Sequence, residues 1–565
     1  MGRRVLLVSN FFPPRAVGGA EIVVFRQARA LAALGHEVTI LAGTESSDVA
    51  LQGALEFDRY DGLRVYRLGL RSLDPSLNFF WPSAARRLCS LIAANDIEIV
   101  HLHNLPGLGA NLIPAAKTAK TRCLVTLHDP WGFCYRQTRL RADHSVCNAF
   151  DECARCLSGV QASPGVTLPM RLRRDYVAWC VGRADRLFTP SCYLKQAYVQ
   201  AGFPQESITV LSNGIDLDNV PAGAKAPSAD GVVRFLCSAY LGEHKGIMVL
   251  LEAAERLLCD PEASSGWRLT IAGEGHLRAA IEAKLQAAKL GEKVRLAGRL
   301  PRSELLDRHR ETDVAVLASV VPENEPVSML EAIASGTAQI ATRIGGIPEL
   351  VEDARSGFLV EPNSPGALAE AMRRYILDPT LARRHGDRNR ERRKEFDETP
   401  TITALDAILA DRGQPAAAAS RAVVICGCGQ PPAPVAECMG HFHEHFSASS
   451  AVSFLWHEWA DHTAWTEAKL LWLWDQQPAE WLINTALRCG VPVLAPANRW
   501  TEGIARHYGG VILYGTFLEA MAAICPLLSQ PALHAQFAWR ARAAGAAATV
   551  LAPKTAFHVT TEAIC

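Results

Sequence analysis

The chain has 565 residues, 49% of them hydrophobic and 21% charged, which is typical of globular proteins that bury large cores. This length predicts roughly three or four domains. Lysine and arginine together number 58, as do aspartate and glutamate, and this balance argues against a nucleic-acid partner bound through bulk positive charge.

The first residues imitate a secretory signal peptide, but only briefly. The apolar run from Val5 to Val8 is followed by Ser9 and Asn10, which makes it too short for the apolar region of a signal peptide. No window reaches the roughly 18 apolar residues that a membrane-spanning helix requires. We therefore expect a cytoplasmic protein, whose 16 cysteines are mainly free thiols or metal ligands.

A glycine pair follows the first predicted strand. Residues 5–10 read as a strand buried on both faces of a parallel sheet. Gly18 and Gly19 then precede a helical pattern that begins at Ala20. Strand, glycine-rich loop and helix is the order of a phosphate-binding loop, although two adjacent glycines are a weak signal. A flexible turn is the alternative unless another site lies opposite.

Further strands predict a parallel α/β sheet. They fall at residues 37–43, 63–68 and 97–103, and another buried strand ends at His128 and Asp129. Side chains just past the carboxyl ends of parallel strands lie where open α/β sheets bind ligands. His128 is therefore a candidate site residue, with a structural histidine as the alternative.

A cluster of cysteines occupies the next loop region. Its members are Cys134, Cys147, Cys153 and Cys156, the last two in a CxxC spacing. Thiolates are ligands that tetrahedral zinc prefers. A structural zinc site is one interpretation, and free thiols and a redox role are the alternatives.

An arginine-rich segment follows the cysteines. Residues 170–188 are predicted to form one helix with several arginines beside apolar positions. A partly buried helix with a solvated face is the simplest interpretation, and contact with a membrane surface or an anionic acceptor is the alternative. The proline-rich residues 221–231 predict a linker.

A second α/β block comes next, and its most informative stretch begins at Pro322. Glu323 lies in a polar loop and Glu331 in the helix after it, so both carboxylates can face one ligand above the helix start. Pro326 suits the first turn of this helix. The amides that would then be free to bind phosphate are those of Val327, Ser328 and Met329.

Two carboxylates beside phosphate-binding amides suit a sugar nucleotide. Carboxylates accept hydrogen bonds from hydroxyl groups, while the amides bind the diphosphate. A capped surface helix with two solvated glutamates is the alternative. Residues elsewhere in the chain must distinguish a sugar-nucleotide site from such a helix.

Several short motifs occur in a fixed order along the two blocks. They are GGAE at 18–21, HD at 128–129, SNGID at 212–216, KG at 245–246, GEG at 273–275 and the Glu323/Glu331 pair, followed by EAIASG and GGIPEL. In this order they resemble the retaining glycosyltransferases of family 4, over roughly residues 1–412. The resemblance implies the GT-B fold, an α/β architecture in which two Rossmann-like domains face each other across a cleft. It predicts an acceptor-side domain at 1–218, a donor-binding domain at 219–395 and a helix at 396–413 that packs back on the first domain.

The resemblance also implies catalytic roles. Glu323 would hold the donor sugar and Glu331 the donor ribose. Lys245 would neutralise the leaving diphosphate, which agrees with the need for positive charge where negative charge develops. His128 would contact the transferred sugar or the acceptor.

Other donor contacts follow from the same resemblance. The Gly18–Gly19 loop would aid the diphosphate from across the cleft, together with the amides after Pro326, and the turn at Glu274 would lie near the base. Tyr240 stands five positions before Lys245, where these enzymes usually carry an arginine. One diphosphate contact is therefore missing or supplied elsewhere.

Residues 414–565 form an appended block that repeats part of the donor-binding domain. Aligning Gly336 with Gly490 places Gln477 and Thr485 at the positions of the two carboxylates. Both carboxylates are thus lost. We expect a degenerate extra α/β domain that keeps the buried strands and packs on the enzyme or on another protein.

These features predict a retaining glycosyltransferase that moves a sugar from a nucleotide-diphosphate sugar to a glycan or lipid-linked acceptor. We expect it to act in bacterial surface polysaccharide synthesis, in the cytoplasm or peripherally at the inner face of the membrane. No DxD-type metal site is apparent, and the arrangement that the resemblance implies does not need one, so we expect no catalytic metal. A non-catalytic sugar-nucleotide-binding or assembly partner protein is the alternative, and a sugar-nucleotide epimerase is a third interpretation.

Overall fold

The structure is a computed structural model. It describes residues 2–15, 18–45, 52–70, 79, 81–141, 145–147, 153–156, 159–163, 166–220, 230–411, 422–426, 452–456, 465, 468–474, 480–498, 501–502, 505, 511–514 and 534–541. Within these residues, three sheets of five or more strands and one short hairpin make up the β-structure.

The first domain is a mostly parallel α/β sheet. Its strands are β1 (Arg4–Ser9), β2 (Glu37–Glu45), β3 (Leu55–Tyr60), β4 (Leu63–Leu70), β5 (Ile99–Leu102), β6 (Arg122–Thr126), β7 (Gly159–Ser163), β8 (Val166–Pro169), β9 (Arg186–Thr189) and β10 (Ile208–Val210). Eight of them form one sheet in the order β10-β9-β6-β5-β1-β2-β4-β3, in which only β3 and β4 pair antiparallel. In the central strand β1 the run from Val5 to Val8 is fully buried, because a parallel sheet is covered on both faces.

Helices flank this sheet, and a separate hairpin is formed by β7 and β8. The helices are α1 (Gly19–Ala33), α2 (Pro82–Ala94), α3 (Leu112–Thr118), α4 (Cys153–Cys156), α5 (Met170–Val181) and α6 (Cys192–Gln200). The carboxyl ends of β1, β5 and β6 therefore open on one edge, where α/β sheets bind ligands.

The second domain is an all-parallel sheet. Its strands are β11 (Val233–Ser238), β12 (Trp267–Ala272), β13 (Val294–Gly298), β14 (Val314–Leu317), β15 (Ala338–Thr342) and β16 (Gly357–Val360). Their order is β13-β12-β11-β14-β15-β16. The helices of this part are α7 (Ile247–Leu258), α8 (Arg278–Ala287), α9 (Arg302–Glu311), α10 (Val327–Ala334), α11 (Ile347–Leu350), α12 (Pro365–Leu377), α13 (Pro379–Arg392) and α14 (Glu398–Ala410).

Two chain segments connect the domains, and they pair with each other. Ile215 bridges Asp397: its N–H donates to the Phe396 carbonyl at 2.8 Å, and its carbonyl accepts from the Glu398 N–H at 3.1 Å. The Ile215 side chain lies in the core of the second domain, so the chain crosses before the predicted boundary at residue 218. After the return crossing, α14 packs its apolar face into the core of the first domain.

A third sheet repeats the second. Its strands are β17 (Ala422–Cys426), β18 (Val452–Trp456), β19 (Ala468–Trp472), β20 (Val493–Pro496) and β21 (Val511–Tyr514). They are all parallel and lie in the order β18-β17-β19-β20-β21, which is the order of the second sheet without β13. The internal repeat seen in the sequence is therefore also a repeat of topology.

The repeat extends to a helix end. α15 (Glu480–Arg488) stops where the Gly490 N–H donates to the Leu487 carbonyl at 3.0 Å, and α10 stops where the Gly336 N–H donates to the Ile333 carbonyl at 3.0 Å. Both glycines have a positive φ, 74° and 63°, which favours glycine after a helix. The alignment of these two glycines thus holds in three dimensions.

The third sheet packs on the first domain. Trp472 of β19 and Leu494 of β20 belong to the same cluster of buried apolar side chains as Val125 of β6 and Leu187 of β9. The appended block therefore shares a hydrophobic core with the rest of the chain, and burial of apolar surface holds the two together.

The helix predicted at 170–188 is too long. α5 ends at Val181, before Gly182, and Arg186 to Phe188 lie in β9, which pairs with β6 and β10. Sheet pairing of this buried segment overrides its helical pattern, because propensity is a weak prior against tertiary contacts. Throughout the part of the chain that the structure describes, every helix falls short of the length and apolarity needed to cross a membrane.

The buried tryptophan of β19 should matter for stability. Trp472 is fully buried, whereas Trp539 is 66% exposed, so the two form a matched pair. We expect Trp472→Ala to lower the free energy of unfolding by about 3–5 kcal/mol through loss of packing. Trp539→Ala should change it by less than about 0.5 kcal/mol. Urea denaturation followed by circular dichroism measures both, and equal effects would contradict the shared core.

Candidate active site

The centre of the site is an ion pair at the carboxyl edge of the second sheet. Glu323, in the loop between β14 and α10, accepts from Lys245 Nζ at 2.5 Å and from Ser319 Oγ at 2.5 Å. Burial would raise the pKa of Glu323, but the charge and hydrogen bond of Lys245 and the bond from Ser319 outweigh it and lower the pKa. Glu323 is therefore a carboxylate paired with a lysine.

Lys245 is placed by a tight turn. It ends a 3-10 turn, and Gly246 follows with a φ of 64°. A side chain on Gly246 would meet the Ala318 carbonyl at 2.0 Å, so this close approach requires glycine. The Val320 N–H donates to the His244 carbonyl at 3.0 Å, which ties the turn to the end of β14.

The start of α10 offers two open amides rather than the predicted three. Pro326 precedes the helix, and the Met329 N–H already donates to the Pro326 carbonyl at 3.0 Å. The prediction that Met329 is free to bind phosphate is therefore wrong, because the first turn uses its amide locally. Among the described residues, the amides of Val327 and Ser328 have no acceptor.

The glycine loop of the first domain faces this helix start. A side chain on Gly19 would lie 3.1 Å from Val327 Cγ2, so the two domains come close here. The Gly18 N–H donates to Glu21 Oε2 at 2.9 Å, so this amide of the glycine loop is already bonded within the start of its own helix.

Glu331 is held inside α10. It is 5% exposed, and its Oε1 lies 3.8 Å from Arg302 Nε. Burial raises the pKa of Glu331, although the charges of Arg302 and Arg26 lower it in part. In the repeat, Thr485 takes this position in α15. Gln477 lies outside the described residues.

Two residues that were not predicted from the sequence make hydrogen bonds across the cleft between the domains. Asn324 Nδ2 donates to the His128 carbonyl at 2.8 Å. The Glu325 carboxylate accepts from Ser212 Oγ at 2.7 Å and from the Asn213 N–H. The available signal was the SNGID motif at 212–216, whose partner the sequence does not name.

Burial raises the pKa of Glu325 to about 7, against the hydrogen bonds from Ser212 and Asn213. Glu325 thus links the domains while it titrates near neutrality. Glu349 adds a second link, because its carboxylate accepts from the Cys192 N–H at 3.0 Å and the Tyr193 N–H at 2.7 Å.

His128 lies at the facing edge of the first sheet. Its Nε2 is 2.9 Å from His103 Nδ1, and its N–H donates to Asn104 Oδ1 at 3.1 Å. Burial lowers the pKa of His128 to about 4 and raises that of the neighbouring Asp129 to about 7. His103 and Asn104 were missed, although they follow β5 just as His128 follows β6, its neighbour in the sheet.

The predicted Tyr240 and Glu274 lie on adjacent loops. The Leu241 N–H donates to the Glu274 carbonyl at 3.0 Å, and the Glu274 carboxylate pairs with Arg278. Tyr240 is 45% exposed, and its hydroxyl is 3.2 Å from His276 Nδ1. Histidine thus stands beside the tyrosine at the predicted donor edge.

The four predicted cysteines line one cavity of about 30 Å³, room for little more than one water-sized atom. They are Cys134, Cys147, Cys153 and Cys156. Burial raises the pKa of the Cys134 thiol to about 11, although N–H groups of the following turn bond to its sulfur. Across the described ranges, no three cysteine, histidine or acidic side chains are arranged to hold a metal ion, and zinc here stays a prediction.

Two family models match the chain. The one described as Glycosyl transferases group 1 covers residues 224–392, and the one described as Glycosyltransferase Family 4 covers residues 17–219. Together they span the two facing domains and stop before the third sheet.

Individual proteins show the same likeness. Glycogen synthase from Mycobacterium tuberculosis (strain ATCC 25618 / H37Rv) is 27% identical over 447 residues, 73% of this chain and 96% of that protein. The amylovoran biosynthesis glycosyltransferase AmsK from Erwinia amylovora is 30% identical over 181 residues, 31% of this chain and 44% of that protein. The structure of sucrose-phosphate synthase from Thermosynechococcus elongatus matches with a TM-score of 0.54 at 20% identity, covering 72% of this chain and 98% of that chain. This structural match shows a shared fold.

Glu325 should make stability depend on pH. The unfolded carboxyl group loses its proton near a pKa of about 4.3, whereas the folded one keeps it until about pH 7. The folded state therefore binds more protons in this window, and stability falls as pH rises through it. Glu325→Gln should flatten this dependence between about pH 5 and 7.

Apparent unfolding midpoints of both chains across this pH range test the prediction. Other buried acids, such as Asp129, contribute equally to both chains and cancel in the difference. Parallel pH profiles for wild type and Glu325→Gln would contradict it.

Proposed function

This chain belongs to the family 4 glycosyltransferases with the GT-B fold, and we propose that it is a retaining enzyme that needs no catalytic metal. Its donor is a nucleoside-diphosphate sugar, and its acceptor is a glycan or a lipid-linked glycan. The observation that carries the proposal is the Lys245–Glu323 pair beside the two open amides of α10.

The diphosphate would bind at the start of α10. The amides of Val327 and Ser328 point out of the helix start, where the helix dipole favours negative charge. Lys245 lies at the same edge and adds a full positive charge. Negative charge grows on the phosphate oxygen as the sugar leaves, so these groups stabilise the transition state. The positive charge that the leaving group requires thus comes from the protein itself.

Retention follows from front-face attack. The acceptor oxygen forms a bond to the anomeric carbon on the face from which the phosphate oxygen departs, and the acceptor proton passes to that phosphate oxygen. This step requires no protein nucleophile. Glu323 remains a carboxylate paired with Lys245 and accepts hydrogen bonds from the sugar hydroxyls.

The names of relatives support a polysaccharide setting. One relative is named a glycogen synthase and another an amylovoran biosynthesis glycosyltransferase. We propose synthesis of a bacterial surface polysaccharide, in the cytoplasm or at the inner face of the membrane.

One observation favours a second candidate function, a non-catalytic sugar-nucleotide binder or assembly partner. Tyr240 stands where the resemblance leads us to expect an arginine. Release of nucleoside diphosphate from a donor sugar by the purified chain would exclude this candidate.

The Lys245–Glu323 pair should be essential for transfer. We expect Lys245→Met and Glu323→Gln each to lower kcat at least about 100-fold, because transition-state charge loses its partner. Lys284→Met is the matched control, since Lys284 pairs with Glu255 at 2.6 Å on the surface of the same domain. Release of nucleoside diphosphate from UDP-, GDP- and ADP-sugars measures the rates, with circular dichroism as a check of folding. Unchanged turnover in both Lys245→Met and Glu323→Gln would contradict the proposal.

Only the first copy of the repeated domain should bind donor. Calorimetric titration with a nucleoside diphosphate should give about one site per chain. Glu331→Ala should weaken this binding at least about tenfold, because a ribose partner is lost. Thr485→Ala, at the matching position of the repeat, should leave it unchanged. Two sites per chain, or equal effects of the two substitutions, would be the contrary result.

A further inference from the structure

Two histidines meet at the ends of neighbouring strands. His103 follows β5 and His128 follows β6, and their Nδ1 and Nε2 atoms are 2.9 Å apart. Both are buried, at 1% and 9% exposure. Burial lowers the pKa of each ring well below its ordinary value, so both rings are neutral near pH 7. One proton therefore lies between the two nitrogens, and either ring could be its donor.

The surroundings of His103 decide which ring donates. Its Nε2 is buried and has no hydrogen-bond partner in the described part of the chain. If His128 donated, the proton of His103 would sit on this Nε2 as a buried N–H without an acceptor. Among backbone groups, orphaned buried N–H groups are rarer than under-satisfied carbonyls, and we infer the same order for these ring nitrogens. His103 therefore carries its proton on Nδ1 and donates to His128.

This fixes the tautomer of His128. Its Nε2 accepts, so its own proton must be on Nδ1. The His128 carbonyl accepts from Asn324, next to Glu323, which places the residue at the cleft.

We propose that His103 is a positioning residue that holds His128 as the neutral Nδ1–H tautomer. His128 then presents a hydrogen-bond donor, rather than a base, to a hydroxyl of the bound sugar. The second half of this statement rests on the proposed function. The first half concerns the two rings alone and can be tested without substrate.

The test of the first half is nitrogen NMR of the full chain labelled with ¹⁵N-histidine, with His128 assigned by the loss of its signals in His128→Gln. Wild type should show the Nδ1–H form of His128. His103→Phe removes the donor and should shift His128 toward the Nε2–H form. His103→Asn should restore the Nδ1–H form, because the asparagine Nδ2 can donate from nearly the same place. An Nε2–H form in wild type, or no change in His103→Phe, would overturn the proposal.

His101 supplies the control for a buried ring. It lies 4.3 Å from His103, ring centre to ring centre, and its Nε2 is 2.7 Å from Thr126 Oγ1. His101→Gln removes a buried histidine without touching the His103–His128 bond, so the His128 tautomer should persist. A changed tautomer in His101→Gln would show that any loss of packing moves it, against a specific role for His103.

Transfer rates test the second half. His103→Phe should lower kcat on the order of tenfold, the effect of one misdirected hydrogen bond, while His103→Asn should stay within about threefold of wild type. Binding of nucleoside diphosphate alone should be equal in all three chains. If the tautomer follows the prediction but kcat does not change, the role in transfer fails while the ring geometry stands. If wild type transfers no sugar at all, the proposed function fails and the NMR result is unaffected.

Discussion

Three consecutive residues place the Lys245–Glu323 ion pair next to contacts between the two domains. Glu323 holds Lys245 within the second domain, while Asn324 and Glu325 bond the first domain at His128 and at Ser212. Because these residues are adjacent, one loop carries both the carboxylate that pairs with Lys245 and the side chains that bond the first domain. The ion pair and the contacts between the domains therefore share the same short segment of chain.

Much of this arrangement could be predicted from the sequence, because residues just after a strand or at a helix start lie at known places in an α/β fold. Lys245 and Glu323 both follow strands of one parallel sheet, so their proximity follows from the alternation of elements. The cross-cleft bonds of Asn324 and Glu325 could not be read, because a polar loop residue has many conceivable partners. The free amide expected at Met329 failed for a local reason, since the first helical turn uses it. The helix predicted at 170–188 was too long for a tertiary reason, since Arg186 to Phe188 pair with neighbouring strands of the first sheet.

For the appended sheet, too, some features could be predicted from the sequence and others could not. A constant offset along the sequence predicted the repeated strands, and the matching turns at Gly336 and Gly490 follow from the same spacing. The sequence did not predict which surface the third sheet packs against. Apolar strands must be covered, but their pattern does not identify what covers them. The structure places Trp472 in one core with the first domain. The repeated sheet therefore buries its apolar residues against the first domain, while its sequence has Gln477 and Thr485 at the positions of the two carboxylates.

The parts of the molecule are held together in two different ways. The first domain and the appended sheet share one core of buried apolar side chains, and α14 packs its apolar face into the first domain. The second domain is attached through two strands of chain that are hydrogen-bonded to each other at Ile215 and Asp397. Side-chain hydrogen bonds from Asn324, Glu325 and Glu349 add to this connection across the cleft. Removing the appended sheet would instead expose to water the apolar surface of the first domain that its strands cover.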